Sequence, residues 1–215
     1  MLIRPDRDDA EYLELASRYT ASIALTAPAS EAVLVAPRWL LVPASRAPTV
    51  GKPLEIAGHT HVVRRVVAHP EARPRTPTDL ALVQLAAEVE GVKPAAVYRR
   101  DDEAGKTVVF VGHGSSGVVG KGTLTSDGRG RGAINTLDRI SPLTLSLPLK
   151  EGEEASDLQG KLVPGEEGAA AYLETDEGLF VAGIYYGDVT VWNLFSRVSA
   201  FAAWVDSVMA APEKR

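Results

Sequence analysis

Two adjacent carboxylates, Glu166 and Glu167, stand in the segment VPGEEGAAAY between glycines and a run of three alanines. Two acids at the end of a loop that feeds a strand are either a solvated turn or the remainder of a site whose residues were once different. The other groups able to move protons or hold metals near neutral pH are the four histidines. His59 and His61, in GHTH, alternate on a strand and share one face, as a metal pair would. No third ligand stands at a suggestive spacing, so neither a metal nor any other cofactor is expected. His69 belongs to a His-Pro turn and reads as a surface residue. The chain has no cysteine, which excludes a thiol nucleophile, a disulfide framework and a thiolate metal site. Ser45 has nothing near it in sequence to activate its hydroxyl and reads as a turn residue.

The elements that would position these groups are mostly short strands. Runs rich in Val, Ile, Leu and Thr fall at 21–26, 32–36, 54–57, 61–68, 80–85, 107–112, 118–124, 143–147, 169–174, 179–185 and 191–198, separated by Gly, Pro, Asp and Ser clusters. That pattern predicts an antiparallel sandwich or barrel rather than alternating strands and helices. A short helix is predicted in DDAEYLELASRY, with Tyr12, Leu13, Ala16 and Tyr19 at helical spacing. A second is predicted in SAFAAWVDSVMAA, where Phe201, Trp204, Val205 and Val208 form one apolar stripe and Ser199 is placed to cap it. The polar stretch 97–107 reads as a connection, and the charges of SDGRGRGA (126–133) and KEGEEASD (150–157) read as solvated.

At 215 residues the chain suits one all-β domain. A net charge of −5 gives no general attraction for nucleic acid or an anionic membrane surface, and neither is an expected partner. No segment approaches the roughly 18 apolar residues of a membrane span. The opening MLIRPDRDDAEYLEL is charged and lacks the apolar run of a signal peptide. The reading is therefore a cytoplasmic protein if this start is native, and a secreted or periplasmic one if a signal peptide was removed.

Four segments, in order and over nearly the whole chain, resemble the trypsin/chymotrypsin-like serine peptidase family, particularly its bacterial branch. VLVAPRWLLVPAS resembles the strand and turn that carry the catalytic histidine, usually apolar-Ile-x-Pro-x-Trp-Val-Leu-Thr-Ala-Ala-His. VVAHPEARPRTPTDLALVQL resembles the pair of strands that supplies the aspartate. VVFVGHG resembles the opening of the second barrel, usually ending Gly-Trp-Gly, with His113 in place of the tryptophan. VPGEEGAAAYLETDEGLFVAGIYYGDVTVWNLFSRVSAFAAWV resembles the nucleophile loop Gly-Asp-Ser-Gly-Gly-Pro, the pocket wall and the closing helix.

The resemblance implies an all-β fold of two packed antiparallel six-stranded barrels, with a short N-terminal helix and a C-terminal helix. The whole of 1–215 would be one domain: 20–96 the first barrel, 97–106 the connection, 107–198 the second barrel and 199–210 the helix. It also implies a degenerate triad. Asp79 keeps the aspartate position, but Ser45 stands where the histidine belongs and Glu167 where the serine nucleophile belongs. Losing either serine or histidine from such a triad costs on the order of 10⁶ in turnover, and what survives through the oxyanion hole and binding is on the order of 10³–10⁴ over water. The backbone of Gly165 and Glu167 corresponds to that hole, where a glutamate carboxylate would repel an oxyanion or fill the hole itself. Glu166 stands where the family's aspartate receives the ammonium of an activated N-terminus, although the Ile-Val-Gly-Gly-like start is missing.

The expectation is a non-catalytic module that binds a protein or peptide. Lys161 aligns with the pocket floor and is placed to bridge to Glu166 or Glu167, while Tyr185, Tyr186 and Gly187 align with the wall where strand addition would hold an extended peptide. Two alternatives stay open: a diverged hydrolase using Asp79 and Glu167 as a pair of acids, and a purely structural subunit with a filled cleft.

Overall fold

Apolar residues repeat at the period of a strand through most of the chain, and the computed structural model, which describes residues 1–26, 29–150 and 152–212, is an all-β protein with two helices. A short strand, β1 (Leu2–Ile3), opens it, followed by α1 (Asp9–Ser17). The strands β2 (Ser22–Thr26), β3 (Ala29–Ala36), β4 (Trp39–Val42), β5 (Pro53–Ile56), β6 (His59–Ala68) and β7 (Ala81–Leu85) then curl into a nearly closed antiparallel barrel of order β2-β3-β4-β7-β6-β5.

The second barrel is a more open half-barrel of eight strands rather than six. Its elements are β8 (Ala96–Val97), β9 (Thr107–Gly112), β11 (Arg131–Thr136), β12 (Arg139–Ile140), β13 (Thr144–Pro148), β15 (Ala170–Thr175), β16 (Gly178–Val189) and β17 (Trp192–Arg197). Along the sheet they run β11-β9-β15-β16-β17-β13-β12, with β8 pairing in parallel to β16. Two short strands, β10 (Gly117–Val118) and β14 (Gly160–Lys161), flank β1 and hold the amino-terminal segment against this half. The chain closes with α2 (Val198–Ala210). Among the described residues no helix is long and apolar enough to cross a membrane.

Strands β4 and β7 are buried along their whole length, while β2 and β3 carry the first barrel's contacts to β9, β15 and β8 of the second. One apolar core therefore crosses the boundary: Leu34, Val42 and Leu82 of the first barrel share it with Tyr172 and Ile184 of the second and with Val198, Phe201 and Val205 of α2. Each such aliphatic side chain, taken from water, contributes roughly 1.5–3 kcal/mol. A separate core around Phe110, Tyr185 and Phe195 lies within the second barrel.

Several local expectations need correction. The run 118–124 forms only the end of β10 and turns, because its residues are mostly exposed and glycines at 120 and 122 take positive φ. The loop 126–133 is not simply solvated: Arg131 is 4% exposed and its guanidinium is held by Asp9 at 2.6 Å and Asp127 at 2.9 Å, fixing β11 to α1. Ser199 does not cap α2. Its hydroxyl donates to Glu103 at 2.5 Å, and the same fully buried carboxylate takes the Arg197 guanidinium at 2.7 Å, so the connection anchors the helix. In the acidic run 150–157, Asp157 pairs with Arg7, and Glu151 lies outside the described residues.

Candidate functional site

The turn after β14 separates the two glutamates. Gly165 and Gly168 take φ of +100° and +99°, a left-handed geometry that glycine adopts without steric cost. Its backbone is tied down by Ala169 N–H donating to Glu166 O at 3.0 Å and by Gly168 N–H donating to Tyr185 O at 2.8 Å. A β-carbon at Gly168 would sit 2.0 Å from the carbonyl oxygen of Glu31, so the turn lies directly against β3 of the first barrel.

Glu166 points inward and is wholly buried. One carboxylate oxygen, Oε2, accepts from Val163 N–H at 2.8 Å and lies 2.9 Å from the amino-terminal ammonium of Met1, which is equally buried and also donates to the Ser115 carbonyl. Strand β1, held between β10 and β14, delivers Met1 to this acid, although the Ile-Val-Gly-Gly-like start is missing. Glycines at 112 and 114 leave room for the acid: a β-carbon there would come within 2.2 Å of Glu166 Oε1 and 2.5 Å of its Cγ. Burial pushes the Glu166 carboxyl above its ordinary range, against the pull of the ammonium, and pushes the ammonium below its own. Ion pairs this deep carry a desolvation penalty that only close partners offset.

Glu167 points outward and is half-buried, and its Oε2 accepts from Gly165 N–H at 3.1 Å. The carboxylate thus occupies the Gly165 amide. Just before β7 of the first barrel, Asp79 is 4% exposed and both of its oxygens are taken by Ser45, Oδ1 by the main-chain N–H at 2.8 Å and Oδ2 by the hydroxyl at 2.6 Å. Ser45 therefore spends its proton on Asp79. The histidines lie elsewhere: His59 is exposed on β6, His61 is buried on the same strand, and His69 packs edge-on against Phe201 and Trp204 of α2 rather than standing free. Among the described residues no cluster of three or more metal-ligating side chains forms.

Beside Glu167 lies an open cavity of about 230 Å³, bounded by Arg75, Tyr186, Gly187, Val189 and Leu194. Its wall is β16. Strand β15 pairs with β16 only as far as Ala170↔Ile184, and the turn continues the contact to Tyr185; Tyr186 sits at a bulge, and among the described residues 187–189 have a strand partner on the β17 side alone. The Tyr186 hydroxyl is fixed by Thr144 at 3.2 Å, while nothing lies within 4 Å of where a side chain at Gly187 would begin. Lys161 bridges to neither glutamate. Its ammonium meets Asp188 at 2.8 Å, and the Tyr185 hydroxyl donates to the same carboxylate at 3.3 Å. Burial is the main reason the Tyr185 phenol is pushed far above its usual range, so it stays a donor.

The structure also joins two groups that sequence reasoning left apart. Glu31, 3% exposed at the start of β3, accepts from His113 N–H at 2.6 Å and meets His113 Nδ1 at 2.8 Å. His113 thus ties the loop after β9 to β3 of the first barrel. An acid preceding the apolar run AVLVA was the available signal, since a charge entering a buried strand needs a partner. Compared with protein-family models and with curated proteins, the chain gives no match in either case.

Proposed function

We propose that this chain is a non-catalytic module of the trypsin/chymotrypsin-like kind, which binds an extended segment of a protein or peptide in the groove beside Tyr186. The observation that carries the reading is the edge of β16 at 187–189, unpaired among the described residues, opening beside Tyr186 onto a cavity of about 230 Å³. An extended ligand would pair its backbone with that edge and lay a side chain against Tyr186. A hydrolase built on Asp79 and Glu167 has less support: a nucleophile needs a base that can take its proton, and Asp79 is saturated by Ser45 while Glu167 is turned onto Gly165. A purely structural role would be favoured by side chains filling the groove.

The test is incubation of the purified protein with a diverse peptide mixture. Cleavage is read by mass spectrometry beside Glu167→Ala, and binding by amide shifts at 186–189. Shifts without cleavage, weakened by Tyr186→Ala, are expected. Cleavage by the parent that Glu167→Ala abolishes would overturn the proposal, as would the absence of any shift.

A further inference from the structure

The pair formed by Glu31 and His113 sits where three segments meet. Its carboxylate holds the main-chain N–H and the ring of His113, in the loop after β9. The same residue's backbone N–H donates to Glu167 O at 2.8 Å, and the neighbouring Ser30 hydroxyl donates to that oxygen at 2.9 Å. Glu31 is therefore a single wedge between the groove-forming turn and the loop 112–116. We propose that the Glu31–His113 pair is a pH-responsive clasp that keeps the turn 165–168 in its groove-forming shape while His113 is charged and releases it when His113 is neutral. The proposal rests on the groove reading above and adds its regulation.

The two acids facing the ring favour this assignment. From β3 comes Glu31 itself; from the turn after β14 comes Glu166, buried and already paired with the Met1 ammonium. On the remaining side, the ring Nε2 lies 2.6 Å from where a β-carbon at Gly130 would be, and the flanking Arg129 and Arg131 are committed to Asp9 and Asp127. With His113 protonated, the buried Glu31 carboxylate has a cation directly beside it. With it neutral, that charge loses its nearest counterpart in a poorly solvated junction.

The sign follows from the pair. Burial alone would lower the His113 pKa, but the hydrogen bond and charge of Glu31, helped by the charge of Glu166, outweigh it and raise it above the ordinary value. The clasp's stabilisation is therefore complete below the ordinary histidine value of about 6.5 and is lost as pH rises through the higher folded value. The Met1 ammonium, lowered chiefly by burial, has the opposite sign: its folded state releases a proton below its ordinary value, which adds stability as pH rises. The His113 contribution is separated from it by substitution at 113.

The experiment is an NMR titration of the His113 ring, with hydrogen exchange of the amides of residues 165–169 measured over the same range and corrected for the intrinsic base-catalysed rate. In the parent, protection of the Gly168 and Ala169 amides should fall about tenfold across the His113 titration. His113→Gln should remove that pH dependence, His113→Lys should hold protection high throughout, and Glu31→Gln should lower the ring's midpoint. Parent protection that stays flat while the ring titrates would overturn the clasp. Peptide binding at about pH 6, where the ring is charged, tests the groove separately. Its absence would sink the groove while leaving the exchange result to stand.

Discussion

At the scale of single residues, the informative contrast is between Glu166 and Glu167, neighbours with opposite environments. Removing the charge of Glu166 leaves an ammonium wholly buried beside a poor partner, so Glu166→Gln should cost about 3–5 kcal/mol of stability by urea unfolding. Glu167→Gln, whose carboxylate is half-buried and touches one amide, should change stability by less than about 1 kcal/mol. Equal losses would mean that the Met1 contact is not an energetic anchor. Ser45 and Asp79, 34 residues apart, could be brought together only through the resemblance and not from spacing. The partner of Lys161 was legible from neither. Whether a long flexible cation reaches Glu166, Glu167 or Asp188 depends on the curl of β16, and spacing along the chain does not encode that.

Elements were legible where one face is buried and one exposed, and less so where the environment breaks that alternation. Runs in the first barrel such as 54–57 and 61–68 correspond closely to β5 and β6. Strand β4 was hidden because Trp39–Val42 is buried on both faces and runs on from the preceding apolar segment with only a Pro-Arg turn between. Strand β11 was hidden because its first residues, an arginine and a glycine, look like loop. Yet the arginine is neutralised by two aspartates, and the glycine is needed because a β-carbon at Gly132 would lie 2.8 Å from the Ala16 nitrogen of α1. The same geometry makes a prediction for the 165–168 turn. Alanine at 165 meets open space and pays only the backbone strain of a positive φ, about 1 kcal/mol. Alanine at 168 adds a collision with the Glu31 carbonyl, so Gly168→Ala should cost at least about 3 kcal/mol. Comparable melting temperatures for the two variants would contradict the packing of this turn on β3.

Across the whole molecule, the two barrels share one apolar core, and they should therefore unfold together. The three tryptophans divide the report usefully, with Trp39 in the first barrel, Trp192 in the second and Trp204 in α2. Fluorescence and far-UV circular dichroism should trace a single urea transition. Two separated transitions would show that the shared core does not couple the halves. The pattern of short strands by itself indicated an all-β protein, and the two barrels followed only from the resemblance. That the second half is an eight-stranded, more open sheet was not legible, because the extra strands β8 and β12 are two residues long and carry no periodicity to read. The ion pair at the back of the groove has a consequence at this scale as well. Lys161 is a tethered competitor for Asp188, present at the effective concentration of an intramolecular ligand, in the millimolar range or above. A visiting lysine or arginine side chain must displace this resident before it gains anything from the carboxylate, so the groove should sort its guests by shape and backbone rather than by positive charge.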